Sequence, residues 1–233
     1  MKTIKSIAAL AISVGAIAVV AAPAGARDSE EPTFSDPTQI DNPYLPIGKF
    51  HRCVYRGEED GERQVIKRTL LDRTRTFVVD GVPVDVAIVK DRVKADGKLV
   101  EDTRDFFAQD DKGAVRYFGE LVDDIENGHV AGHGGSWLYG RDTNKIGVLM
   151  APRPHVGRHW MSEDAPPITV EHDRVVDRLG KYEVQGRTYR HAIKVREYAL
   201  PDKEVEFKIY AKGVGVIDEV TPEGEVGLVG CSG

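Results

Sequence analysis

Four of the chain's seven histidines lie in one stretch that is rich in glycine and proline. They form two pairs with four-residue spacing, His129 with His133 and His155 with His159. Imidazole is a suitable ligand for Zn²⁺ or Cu²⁺, so a converged set could hold such an ion. This spacing places two rings side by side only on a helix, and the glycines around His133 disfavour a helix. A metal site is therefore the alternative hypothesis, beside histidines of an ordinary polar loop.

A second candidate group is acidic and lies in a predicted central β-hairpin, residues 101–121. Side chains alternate between the two faces of a strand, so one face would carry Glu101, Thr103, Asp105 and Phe107. Asp102 and Asp105 then point to opposite faces, which argues against a joint acid–base role. The turn at 110–113 lacks the acidic spacing of a calcium loop. We interpret this turn as solvated, with Arg104 and Arg116 offsetting the acids across the strands.

The candidate ligand-binding residues are aromatic. Adjacent aromatic residues in the hairpin must point to opposite faces, so one of each pair should enter the core and the other could line a concave surface. Trp137 lies within the histidine-rich stretch, and Trp160 follows it directly. The predicted ligand-binding set is Phe106, Phe107, Tyr117, Phe118, Trp137 and Trp160.

Motifs for covalent or cofactor chemistry are not found in the sequence. Ser136 follows two glycines but lacks the Gly-x-Ser-x-Gly pattern of a nucleophile elbow. Gly213 and Gly215 lie in strand context with no helix behind them, unlike a phosphate loop. We therefore expect no cofactor and no enzyme activity. A hydrolase is kept as a third class because exported proteins of this size often are hydrolases.

Turn signals divide the chain into long strands. Asp-Gly and Asn-Gly pairs favour type I′ hairpin turns, in which both central residues have positive φ. They recur every 15 to 20 residues, together with Lys112-Gly113, at Asp60-Gly61, Asp80-Gly81, Asp96-Gly97 and Asn127-Gly128. This rhythm predicts an antiparallel meander in which each strand pairs with its sequence neighbour.

The fold class follows from these strands. Val205, Phe207 and Ile209 alternate with Glu206 and Lys208. This alternation indicates a strand with one buried face and one solvent-exposed face. Roughly eleven long strands predict an all-β fold, a long-stranded antiparallel meander forming a curved half-barrel or barrel. Residues 129–168 break the pattern and predict one long irregular loop, with a short helix at 142–150.

The N-terminus predicts export. A short cationic start, an apolar run at 7–22 and the small-x-small site ending at Ala26 indicate a cleaved signal peptide, residues 1–26. An uncleaved membrane anchor is the alternative. Residues 27–48 are predicted to be an extended lead-in and 49–233 a single β domain.

Cleavage of the signal peptide leaves 30 basic and 38 acidic residues, a net charge of −8. This negative charge disfavours nucleic acid as a partner.

Two cysteines lie near the ends of the predicted domain. In an oxidising compartment Cys53 and Cys231 could form a disulfide, which would contribute on the order of 4 kcal/mol by closing so long a loop. The alternative is one buried thiol and one thiol in a frayed tail.

Several motifs together resemble a family of exported bacterial proteins of unknown function. They are Asn42-Pro-Tyr-Leu-Pro46, Cys53-Val-Tyr-Arg-Gly57, Asp102-Thr-Arg-Asp-Phe-Phe-Ala-Gln-Asp110, Tyr117-Phe-Gly-Glu120 and Tyr210-Ala-Lys-Gly-Val-Gly215. The last also resembles the closing strand of half-barrel proteins similar to lipoprotein carriers. That resemblance implies an apolar concavity for an acyl chain or another protein's tail, and it implies no catalytic residues.

These observations favour a secreted or periplasmic soluble β-domain that binds an apolar or amphipathic ligand, lipid-like for example, or a protein partner. The loop at 129–168 would act as a flap over one mouth of the concavity. The alternative is an exported metal-binding protein that uses the four loop histidines.

Overall fold

The computed structural model describes residues 31–201 and 203–233. The predicted signal peptide lies outside the described residues. One antiparallel sheet makes up almost the whole fold, with a single 3₁₀ turn at Ile47–Lys49. Among the described residues, no helix is long and apolar enough to cross a membrane.

The sheet has fourteen strands. In chain order they are β1 (Arg52–Glu59), β2 (Glu62–Val79), β3 (Val82–Ala95), β4 (Lys98–Gln109), β5 (Val115–Glu126), β6 (His129–Gly132), β7 (Trp137–Leu138), β8 (Gly147–Met150), β9 (His159–Ala165), β10 (Thr169–Val184), β11 (Arg187–Leu200), β12 (Glu204–Ala211), β13 (Gly215–Thr221) and β14 (Gly224–Ser232).

The strand order confirms the predicted meander. Across the sheet, the strands follow the order β6-β5-β4-β3-β2-β1-β14-β13-β12-β11-β10-β9. The strands β1 to β6 form one meander and β9 to β14 a second, and the two meet where β1 pairs with β14. The short strands β7 and β8 both pair with β5, off this path. The ladder from β6 to β9 is not closed into a barrel by hydrogen bonds among the described strands.

The predicted hairpin turns have the expected backbone. Both central residues have positive φ at Asp60-Gly61, Asp80-Gly81, Asp96-Gly97, Asn127-Gly128 and also Gln185-Gly186. This is the type I′ signature, which matches the right-handed twist of the flanking strands. At Lys112-Gly113 only the glycine has positive φ, as predicted for a left-handed glycine in a wider turn.

The segment 129–168 is more regular than predicted, because it contributes four short strands. The predicted helix at 142–150 is wrong. Residues Gly147–Met150 form β8, in which Gly147 lies opposite Tyr117 of β5. A side chain at Gly147 would come within 1.8 Å of the Ser162 carbonyl oxygen. Tertiary pairing against β5 and β9 therefore overrides the local helix signal.

Apolar side chains of the sheet form two clusters. The larger one includes Tyr55, Phe107, Ile193 and Leu228, and the smaller one is built around Phe77, Val86, Phe106 and Phe118. The lead-in packs on the larger cluster through Ile40, Tyr44 and Leu45. Asn42 fixes this segment, since its side-chain amide donates to the carbonyls of Gly113 and Ala151 at 2.8 and 3.2 Å.

The predicted disulfide is present between Cys53 and Cys231. The two residues lie directly opposite each other on β1 and β14. The bridge therefore joins the strands at which the two meanders meet.

We expect Gly119→Ala to destabilise the fold far more than Gly128→Ala. Both glycines have positive φ, but a Cβ on Gly119 would lie 2.2 Å from the Trp137 carbonyl oxygen, whereas a Cβ on Gly128 meets nothing within 4 Å. Backbone strain alone costs about 1 kcal/mol, and the added clash should raise the loss to about 3 kcal/mol or more. Urea unfolding measures both, and equal losses would contradict this interpretation of Gly119.

Candidate functional site

The curved sheet surrounds a cavity of about 620 Å³. Every strand from β1 to β5 and from β8 to β13 contributes lining residues, and so does the lead-in. A volume of this size is typical of sites for small ligands. The cavity is therefore the candidate site.

Carboxyl groups dominate the polar lining of the cavity. Nine acidic residues line it: Asp91, Glu101, Asp105, Glu120, Glu163, Glu171, Glu197, Glu204 and Glu206. The permanently charged cations among the lining residues are Arg68 and Lys208. The interior is thus strongly biased towards negative charge or towards bound protons.

Three of these residues, Asp105, Glu120 and Glu163, form a group that we call the acidic wall. The Tyr117 hydroxyl donates to Asp105 Oδ1 at 2.7 Å, and the Trp137 indole donates to Glu163 Oε1 at 3.2 Å. Within the described part of the chain, the Glu120 carboxyl has no hydrogen-bond or ion-pair partner. Of the three residues of the acidic wall, Glu120 is therefore the one whose carboxyl group could bind a ligand without first losing a protein partner.

Burial changes the protonation of the acidic wall. It raises the pKa of Asp105 to about 7, with a further contribution from Asp91. Burial and the neighbouring Glu171 raise the pKa of Glu163 to about 7. The pKa of Glu120 is raised well above its ordinary value by burial and by the charges of Glu163 and Asp105. The wall therefore holds protons near neutral pH that ordinary carboxyls would have released.

A second acidic group lies on β11 and β12. Glu197 and Glu206 are directly opposite each other in the ladder, and Lys208 Nζ lies 2.7 Å from Glu197 Oε2. Burial raises the pKa of Glu197 to about 8 and that of Glu206 to about 7, although Lys208 acts in the opposite direction. The Lys208 contact has the distance of an ion pair without hydrogen-bond geometry, and Glu197 Oε1 is buried with no hydrogen-bond partner.

Arg68 is already neutralised by protein groups. Its guanidinium pairs with Asp91 at 2.7 Å and with Glu219 at 3.4 Å, and it lies 5.1 Å from the centre of the Tyr55 ring. A charge held by two carboxylates and an aromatic face is not free to bind an anion.

One end of the cavity is apolar. The lead-in contributes Leu45 and Ile47, the segment before β1 contributes Phe50, and Val214 and Val216 come from the region where β13 begins. These lead-in residues were predicted only to pack on the domain. They also line the ligand space.

Three exposed residues of the cavity lining indicate the mouth, where the cavity opens to solvent. Pro167 and Ile168 come from the turn between β9 and β10, and Pro201 comes from the turn between β11 and β12. Ile168 is 37% exposed. Val170 and Leu200 pair across these strands, which places the two turns side by side.

The predicted aromatic residues divide between the two faces of the sheet. Phe107 and Tyr117 line the cavity with their rings stacked at 4.9 Å, whereas Phe106 and Phe118 pack in the smaller cluster on the other face. Trp137 and Trp160 are buried in the larger cluster and do not line the cavity. The expected opposition within each pair is thus found in the structure.

The four histidines lie outside the cavity lining. His133 contacts the Val122 carbonyl oxygen at 2.9 Å and Asp123 at 3.0 Å, and His155 contacts the adjacent Val156 carbonyl oxygen. His129 and His159 are exposed at the starts of β6 and β9. Across residues 31–201 and 203–233, no group of three or more potential ligands is arranged to hold a metal ion. The four-histidine site stays a prediction without structural support.

The predicted solvated turn is correct for Asp111, which is exposed, and wrong for Asp110, which is buried. Arg116 pairs with Asp110 as predicted, and Arg104 pairs with Asp123 across the strands. Glu101, Thr103, Asp105 and Phe107 share one face as predicted, and that face lines the cavity.

Sequence reasoning also missed the acids of β5 and of β9 to β12. The only signal for them was strand alternation, and on β12 it did not show which face borders the cavity. Glu206 and Lys208 face the cavity, while Phe207 on the other face lies 3.9 Å below the Lys194 ammonium.

A scan against protein-family models and searches of curated proteins and of solved structures returned no significant match. The resemblance to exported proteins and to lipoprotein carriers therefore stays a prediction.

Proposed function

We propose that this protein is an exported binding protein that holds one small amphipathic ligand inside its curved sheet. The observation that carries the proposal is the cavity of about 620 Å³, which has an apolar end and a carboxyl-rich wall. An amphipathic molecule would bury its chain against Leu45, Phe50 and Val216 and meet polar side chains with its other end. The proposal includes no catalysed reaction, no cofactor and no nucleic acid.

Two further features support this proposal. The exposed Pro167, Ile168 and Pro201 give the mouth an apolar rim that a ligand chain could cross. The disulfide between Cys53 and Cys231 suits a secreted or periplasmic location, because such bonds persist in oxidising compartments. Part of the segment 129–168 lines the cavity at Leu149 and Glu163, in keeping with its proposed role as a flap.

Binding can be tested by filling the cavity. Leu70 lines it, so Leu70→Trp should occupy the space that an apolar chain would use. An apolar fluorescent naphthylamine should bind the wild-type protein with one-to-one stoichiometry and bind Leu70→Trp at least tenfold more weakly, as measured by fluorescence titration.

The matched control is Val82→Trp, because Val82 is 60% exposed and lies outside the cavity lining. It should bind the probe as the wild type does. Equal binding by Leu70→Trp and the wild type would show that the cavity is not the binding site. Native mass spectrometry of the purified protein would then identify any co-purifying molecule.

A further inference from the structure

Acidic residues outnumber cationic ones among the residues that line the cavity. Arg68 and Lys208 each contact a carboxylate of the lining, Asp91 and Glu197 respectively. The seven other lining acids are Glu101, Asp105, Glu120, Glu163, Glu171, Glu204 and Glu206. All seven come from strands on both sides of the cavity, β4 and β5 on one side and β9, β10 and β12 on the other.

Some of these seven carboxyls are satisfied by neutral donors. The Thr103 hydroxyl donates to Glu101, the Tyr117 hydroxyl to Asp105, and the Ser162 hydroxyl to Glu171. Glu163 receives hydrogen bonds from Trp137 and Thr169. These groups position the carboxyls but do not cancel their charge.

Glu197 and Glu120 have carboxyl oxygens without a hydrogen-bond partner among the described residues. Glu197 is only 3% exposed, yet its Oε1 atom has no hydrogen-bond partner in the described structure. A buried acceptor without a partner destabilises the fold, and more so when it is charged. Glu120 also has no hydrogen-bond or ion-pair partner among the described side chains. A donor supplied by a ligand would remove this penalty at both positions.

We propose that the ligand carries a positively charged nitrogen group, which binds against Glu120, Glu163 and Glu197 while its apolar part lies against Leu45, Phe50 and Val216. This proposal rests on the proposed function and names the class of ligand. An inorganic cation fits the site less well, because no group of three ligating side chains within the described residues has the arrangement of a metal site. An anionic headgroup, such as a fatty-acid carboxylate, would face repulsion from those of these acids that are ionised.

The test compares three surfactants with the same ten-carbon chain. Decylammonium is cationic at pH 8 and carries N–H donors, decyldimethylamine oxide is neutral overall at pH 8, and decyl sulfate is anionic. Isothermal titration calorimetry at pH 8, below the micelle concentrations, should give at least tenfold tighter binding for the cationic probe than for the neutral one. At this pH Asp105 and Glu163, whose pKa values are about 7, are mainly ionised.

Variants locate the charge effect. Glu120→Gln keeps the shape of the carboxyl and should weaken binding of the cationic probe about tenfold, leaving binding of the amine oxide unchanged. Glu126→Gln changes the net charge equally at an exposed position of the same strand and should have no effect on either probe. Circular dichroism melting shows whether each variant is folded, and Glu163→Gln serves as a second probe of the same wall.

The outcomes separate this inference from the proposed function. If the neutral or anionic probe binds as tightly as the cationic one, the charge preference is overturned and the proposal of an amphipathic ligand stands. If Glu120→Gln and Glu126→Gln weaken the cationic probe equally, the effect is one of overall charge and the assignment to the acidic wall fails. If none of the three probes binds, both proposals are overturned.

Discussion

The free energy of unfolding of the ligand-free protein is expected to fall by about 3 kcal/mol or more between pH 5 and pH 8. The cause is the set of buried carboxyls whose pKa is raised by the fold, to about 7 for Asp105 and about 8 for Glu197. In the unfolded chain such groups titrate near pH 4.

The sign of this change follows from proton binding. Between pH 4 and pH 8 the folded state holds protons on these carboxyls that the unfolded state has released. Their contribution to stability is therefore complete below pH 4 and is lost as the pH rises through the pKa values of the folded state. Asp111, whose pKa is lowered by hydrogen bonds from Thr33 and Ser35, acts in the opposite direction only at more acidic pH.

Urea unfolding at several pH values measures this dependence. Asp105→Asn removes one of the titrating groups while keeping an oxygen that can accept from the Tyr117 hydroxyl, so its stability should fall less steeply with pH. Glu126→Gln, at an exposed site, should keep the wild-type slope. A wild-type stability that is constant or rises from pH 5 to pH 8 would show that the cavity acids are ionised without cost.

Removal of the disulfide is expected to lower the free energy of unfolding by about 4 kcal/mol. The bridge joins residues 178 positions apart, so Cys53→Ala with Cys231→Ala frees almost the whole unfolded chain. It also releases the junction between β1 and β14, through which the two meanders are joined.

The measurement is urea unfolding of the double variant and of the wild type, each with and without a reducing agent. Reduction should lower the wild-type stability towards that of the double variant and leave the variant unchanged. Equal midpoints for oxidised wild type and double variant would mean that the β1–β14 ladder holds the two meanders together without the covalent link.

Both expectations bear on the proposed function. A protein that loses stability as its interior acids ionise should regain it when a cationic ligand occupies the acidic wall, since a ligand that binds only the folded state stabilises it. The disulfide keeps β1 beside β14, and Cys53 and Tyr55 of β1 line the cavity. The covalent link therefore lies in the wall of the candidate site.

Local features of the fold could be read from the sequence. The Asp-Gly and Asn-Gly pairs predicted the hairpin turns because few residue types accept positive φ at both central positions. The spacing of these turns predicted the meander, and alternation predicted that Glu101, Thr103, Asp105 and Phe107 share a face. The pairing of the two cysteines was predicted from compartment and count alone.

The inside of the sheet was decided only by the tertiary structure. Alternation shows that the two faces of a strand differ, but it does not tell which face a curved sheet turns inwards. On β12 the inward face carries Glu206 and Lys208, because strands far apart in the sequence bring carboxyls, hydroxyls and cations together there. Burial in that shared space raises the pKa values of the acids, and no single strand carries this information. The sequence by itself determined the turns and the meander, and long-range strand pairing decided that the acids line the cavity.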